Sequence, residues 1–114
     1  MWITYCLSLL LRLGIAHAVT DVVLQDSQSF SMPRRKQPSP GDDHWPYWLL
    51  AHGLLNGAGV YWATGSSFLG LLETVVHTGV DYGKCQHWYG VHLDQALHLL
   101  SKLLWIYLSL TIYP

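Results

Sequence analysis

The stretch "ETVVHTGVDYGK", residues 73–84, decides how this chain folds. Its ionisable side chains stand at Glu73, His77, Asp81 and Lys84, in steps of four, four and three. On a helix that spacing puts all of them on one face. The residues between them are mostly Val, Thr, Gly and Tyr. Charged groups on one stripe of an otherwise apolar helix must face inward and find partners if the surroundings are lipid.

The composition says that they are. Hydrophobic residues make up 51% of the chain and charged residues 11%, against about a quarter charged in an ordinary soluble domain. At 114 residues the chain is one domain. A soluble domain of that size has too much surface to go without charge. The net charge of −1 and pI near 6.6 exclude bulk electrostatic attraction to nucleic acid. The many Trp and Tyr residues suit bilayer interfaces. Cys6 and Cys85 make neither a disulfide framework nor a four-cysteine zinc site.

The fold class expected is all-α, a small antiparallel four-helix transmembrane bundle over residues 1–114. The first helix runs from about Trp2 to Gln25. The second follows Pro46, a natural first-turn residue, from about Tyr47 to Thr64. The third covers about Ser66 to Tyr82 and the fourth about Trp88 to Ile112. Short turns at Gly65 and at residues 83–87 force antiparallel neighbours. Ala16-His17-Ala18 has the look of a signal-peptidase site, but no Lys or Arg precedes the apolar run and Arg12 interrupts it. The segment therefore reads as a retained membrane helix. Residues 26–45, rich in Ser, Pro and charge, read as a flexible loop. Arg34, Arg35 and Lys36 place that loop in the cytoplasm, with Lys84 on the same side and both termini facing away. An inner-membrane, multi-pass protein is the expectation. A soluble bundle is the rival, disfavoured by the "LLWIYLSLTIYP" end at residues 103–114.

The i, i+4 spacing recurs along the chain. His17 precedes Asp21, His52 precedes Asn56, His77 lies between Glu73 and Asp81, and Asp94 precedes His98. Random placement would give about one such pair rather than five. These residues fall late in helices one and three and early in helices two and four. In an up-down-up-down bundle all of them reach the cytoplasmic end. They could bind a divalent metal, since imidazole and carboxylate are ligands for zinc or a similar ion and bundle cores assemble such sites. They could relay protons, or they could bond one another and only fix helix packing. Asp42, Asp43 and His44 stand beside the expected mouth, as do His87 and His92. Gly53, Gly57 and Gly59 suit close helix contact.

Three segments, "AHAVTDVVLQ", "HTGVDYGK" and "DQALH", resemble the signatures of domain-of-unknown-function family 3307, which comprises bacterial and phage integral-membrane proteins. The resemblance runs from about His17 to His98. It puts the family's signature residues on His17, Asp21, Leu24, Gln25, His77, Asp81, Lys84, Asp94, Gln95 and His98. The linker at residues 32–43 is more Pro-rich than that pattern. There is also a general likeness to bacterial inner-membrane proteins labelled as metal-dependent hydrolases.

The chemistry expected from these residues is metal-dependent hydrolysis at the membrane interface. His17, Asp21, His77, Asp81, Asp94 and His98 form the ligand pool for the divalent metal. Glu73 or a spare Asp serves as general base, and Lys84 holds a phosphate or other anion. A lipid or lipid-linked small molecule fits a site at headgroup depth. The alternative is a non-catalytic phage or bacterial membrane protein whose polar cluster fixes helix packing or binds a partner. A third reading is passage of protons or metal ions through the bundle.

Overall fold

The computed structural model describes residues 1–23 and 45–112. Among them it is all-helical, with no strand. Helix α1 spans Trp2–His17 and continues as a wider π-helical turn, Ala18–Val23. Then come α2 (Trp45–Thr64), α3 (Ser67–Cys85) and α4 (Val91–Ile112). The loop expected at 26–45 lies outside the described residues up to residue 44, while Trp45 opens α2 with Pro46 in its first turn. Leu24, Gln25, Arg34, Arg35, Lys36, Asp42, Asp43 and His44 also fall outside them.

The first helix departs from the continuous α-helix expected to about Gln25. The Thr20 hydroxyl lies 2.7 Å from the Ala16 carbonyl oxygen, and such side-chain bonds compete with the regular ladder. The widened turn leaves Ala16, Thr20 and Asp21 all facing the bundle interior. Single π turns inside α-helices are frequent at functional sites.

The turns fix where the other helices meet. Ser66 caps α3, its hydroxyl accepting from the Leu69 N–H at 3.2 Å. Beyond α3 the chain closes a Schellman turn. His87 N–H donates to Lys84 O and Trp88 N–H to Gly83 O. His87 takes the left-handed conformation (φ 62°) that glycine usually fills. This turn uses up residues 86–90, so α4 begins at Val91 rather than near Trp88. Tyr89 lies back across Gly83, where any Cβ would meet its ring, and its hydroxyl donates to Val80 O. The start of α4 is thereby strapped against the end of α3.

Every sequential pair of helices is antiparallel. In α2 and α3, Gly53 meets Thr78 and Gly57 meets Thr74 and Gly70. In α1 and α2, Ala16 meets Gly59, while Asp21 meets His52. In α3 and α4, Asp81 meets His98 and Glu73 meets Trp105. The apolar core, comprising Leu9, Leu13, Val60, Ala63, Leu69 and Trp105, fills one half of the bundle. The other half is polar inside.

That second half is arranged inside out. On α3, Glu73, His77 and Asp81 are buried, while Phe68, Leu71 and Val75 are exposed. More polar than apolar side chains are buried among the described residues. The outer surface carries Leu7, Leu11, Trp62 and Tyr107, all largely exposed. Two helices, Trp2–Asp21 and Val91–Ile112, are long and apolar enough to cross a membrane. Cys6 is half-buried near the start of α1 and Cys85 buried at the end of α3, and neither is in a disulfide.

Candidate metal centre

The polar half converges on two carboxylates. Asp21 reaches in from the widened turn and Asp81 from the last turns of α3. His52 Nε2 lies 2.9 Å from Asp21 Oδ1 and 3.3 Å from Asp81 Oδ2. His77 Nε2 lies 3.1 Å from the same Asp21 oxygen and 3.3 Å from the same Asp81 oxygen. Two nitrogens and two oxygens from three different segments thus form a closed four-membered figure. All four side chains are 2% exposed or less.

Around this figure stand further groups. His98 Nε2 is 3.1 Å from Asp81 Oδ1 and 3.4 Å from Asp94 Oδ1. Asp94 Oδ2 accepts from Lys84 Nζ at 3.0 Å and from Gln95 Nε2 at 3.2 Å. Gln95 Nε2 also lies 3.1 Å from Asp21 Oδ2, and its carbonyl oxygen lies 3.2 Å from His17 Nε2. His17 is farther out, 3.6 Å from Asp21 Oδ2 and partly exposed. Asn56 turns its amide nitrogen to the His52 carbonyl at 3.0 Å and its oxygen to the Thr20 hydroxyl at 2.7 Å.

One level deeper, Glu73 orients His77. The His77 Nδ1–H donates to Glu73 Oε1 at 3.1 Å. A carboxylate only accepts, so the proton sits on Nδ1. The Nε2 facing Asp21 and Asp81 then carries either its lone pair or the second proton of an imidazolium. Glu73 Oε1 also takes Lys102 Nζ, and Oε2 takes the Trp105 indole N–H, each at 2.5 Å. Carboxylate–histidine pairs of this kind are the usual support of a metal-bound imidazole.

All eight residues singled out in the sequence, His17, Asp21, Glu73, His77, Asp81, Lys84, Asp94 and His98, meet in this one end of the bundle. Three subsets, each within 4.8 Å, could hold a metal ion: Asp21, His52, His77 and Asp81; Glu73, His77 and His98; and Asp81, Asp94 and His98. The ligand pool expected from sequence leaves out His52, which sits at the centre. Its i+4 partner is an amide, Asn56, so its pair carries no second charge. Lys102 and Trp105 have no local pattern at all, because their partner Glu73 lies on another helix. His87 and His92 are exposed near the turn and do not enter the cluster. No family model matches the chain, and neither a curated protein nor a solved structure does. The resemblance to family 3307 rests on the three motifs alone.

Asp21, Glu73, Asp81 and Asp94 carry four negative charges, and Lys84 and Lys102 return two positive ones. With neutral imidazoles the balance is −2, the charge of one divalent cation. Buried charges without compensation cost several kcal/mol each.

Proposed function

We propose that this chain is a multi-pass membrane protein that holds a divalent metal ion, zinc or similar, and uses it to hydrolyse a phosphoester on a lipid or lipid-linked substrate. The observation that carries the metal reading is the closed figure of His52, His77, Asp21 and Asp81. A metal bonded to its ligands at about 2.0–2.1 Å separates them by about 2.9 Å at right angles and about 3.3 Å at tetrahedral angles. The four edges measure 2.9, 3.1, 3.3 and 3.3 Å. As hydrogen bonds, the same contacts would split each Nε2–H between two carboxylate oxygens.

The membrane reading is supported by the exposed apolar exterior and the buried ionisable interior. The helices of 19 to 22 residues, α2 to α4, are each about 30 Å long, close to the thickness of a hydrocarbon core. We assign the polar end to the cytoplasmic side of an inner membrane, with the termini opposite, following the basic cluster at Arg34, Arg35 and Lys36.

A divalent ion held by these four residues would supply Lewis acidity and, by expanding to a fifth position, would bring the pKa of a bound water to about 7. Lys84, partly exposed beside Asp94, sits at the rim where an anionic substrate group arrives. The water oxygen bonds to phosphorus as the bond to the leaving oxygen breaks. The water's two protons end on the leaving oxygen and on the phosphate product. We assign Glu73 the orientation of His77 rather than the general-base role, because its two oxygens already serve three donors.

A second reading is favoured by the 2.9 Å contact of His52 with Asp21, a good length for an imidazolium–carboxylate bond. Two imidazolium ions would balance the same −2, and the network would then only fix helix packing. Metal analysis of the detergent-purified full chain separates the two. Near-stoichiometric zinc in wild type, lost in His77→Ala and Asp81→Ala variants that still elute as folded protein, is expected. Hydrolysis of p-nitrophenyl phosphate or of phosphatidic acid in mixed micelles should fall with the metal. Folded wild-type protein that takes up no divalent ion leaves only the packing network.

A further inference from the structure

Asp81 presents its two oxygens to two different sets of ligands. Oδ2 faces His52 and His77, both at 3.3 Å, and completes the four-atom figure with Asp21. Oδ1 turns the other way, to His98 Nε2 at 3.1 Å. A carboxylate split in this manner is placed as a bridge. On its far side the second set is Asp81, His98 and Asp94.

Asp94 adds an independent sign. Its Oδ2 is served by Lys84 and Gln95. Its Oδ1 is fully buried and receives no hydrogen bond. Buried carboxylate oxygens are rarely left that way. The orphaned atom points to the same place as His98 Nε2, 3.4 Å away, and Asp81 Oδ1. The His77 and His98 rings stack at a centroid distance of 4.0 Å, so their Nε2 atoms serve the two sets side by side. Paired metal ions in two-metal sites lie about 3.5–4 Å apart.

Resting on the metal reading above, we propose that the centre binds two divalent ions bridged by Asp81: one among Asp21, His52, His77 and Asp81, and a second among Asp81, Asp94 and His98. The two positions are unequal. The first has four protein ligands and a His77 held in orientation by Glu73, the closed pattern of a tightly held ion. The second has three protein ligands, the pattern that leaves a position for water. His98 Nδ1 has no partner to orient its ring, so the second ion is held about 10–100-fold more weakly. One ion cancels the −2 of the cluster. The second brings a surplus of positive charge next to Lys84, which draws an anionic group such as a phosphoester to the open position.

The test uses the full chain in detergent, stripped with chelator and reloaded with Mn2+ or Zn2+. Wild type should take up two ions per chain in two steps, the second about 10–100-fold weaker. The second Mn2+ equivalent should produce a spin-coupled paramagnetic resonance spectrum, a readout that needs no variant. Asp94→Asn should keep one ion and lose the coupling. A single ion in folded wild type overturns the second position and leaves the first intact. No ion at all overturns the metal reading itself. Two uncoupled ions, or a coupled pair that survives in Asp94→Asn, overturn the bridge through Asp81 or the ligand role of Asp94.

Discussion

Glu73 tests whether the deep layer of the cluster holds the fold, the metal site, or both. Its Oε1 takes Lys102 Nζ at 2.5 Å. At an effective dielectric of about 20, two unit charges at that distance attract by about 7 kcal/mol. Both groups also lose hydration, so the pair is worth much less than this, but removing one partner strands the other charge. Glu73→Gln should cost about 3–5 kcal/mol of stability. Glu73→Gln with Lys102→Met removes both charges and should recover most of that loss. It does not restore His77. Glu73 uses one oxygen for His77 and the other for Trp105, and a glutamine has only one acceptor to offer. The double variant should therefore bind its tightest metal ion about 10–100-fold more weakly than wild type while staying nearly as stable. Unfolding in detergent mixtures gives the stability, and competition with a chromophoric chelator gives the affinity. Wild-type affinity in a stable double variant refutes the orienting role of Glu73. A Glu73→Gln protein as stable as wild type refutes the buried pair.

Two further outcomes follow from the packing and the surface. Gly57→Ala puts a Cβ against the Thr74 side chain and the Gly70 carbonyl oxygen; it should cost about 1–3 kcal/mol in the same unfolding assay, and a neutral effect would mean that α2 and α3 pack more loosely than described. Val75 is 71% exposed on the outer face of α3. Val75→Glu should cost about 2.5–3.5 kcal/mol in membrane-insertion assays if that face meets lipid, whereas a change within about 0.5 kcal/mol is what a water-exposed position would give.

The four helices were readable because their polar residues recur every fourth position, and that period needs no tertiary information. It marked His17, Asp21, Glu73, His77, Asp81, Asp94 and His98, which the fold gathers at one end. What escaped was whatever depends on chain segments far apart. Lys102 in isolation reads as a cation that must snorkel or pair, and only the antiparallel register of α3 and α4 puts Glu73 opposite it. His52 carries the same spacing, but its partner Asn56 is an amide, and the ligand pool drawn from charged pairs leaves it out. The π turn after His17 coincides with a Thr20 hydroxyl bonded to the Ala16 carbonyl, but Thr74 makes the same bond to Gly70 within regular α-helix, so a threonine alone does not foretell it. The start of α4 at Val91 depends on His87 adopting a positive φ, which histidine does more readily than most non-glycine residues but still only at a small minority of positions.

The arrangement of α3 links fold and site in one physical argument. Burying Glu73, His77 and Asp81 while exposing Leu71 and Val75 reverses what the hydrophobic effect favours in water. Where the exterior is lipid, apolar side chains are no better off inside the bundle than outside it. Helix association must then come from close contact and from polar bonds between helices. The structure uses both: Gly53 and Gly57 bring α2 against Thr78 and Thr74 of α3, and Asp21 joins α1 to α2 and α3 through His52 and His77. Asp81 and Glu73 extend the same network to α4 through His98, Lys102 and Trp105. The carboxylates that would hold the ion are therefore the groups that hold the helices together. With neutral imidazoles, a net −2 at this junction pushes the helices apart unless a cation fills it, so on the metal reading occupancy of the centre and cohesion of the bundle should rise and fall together.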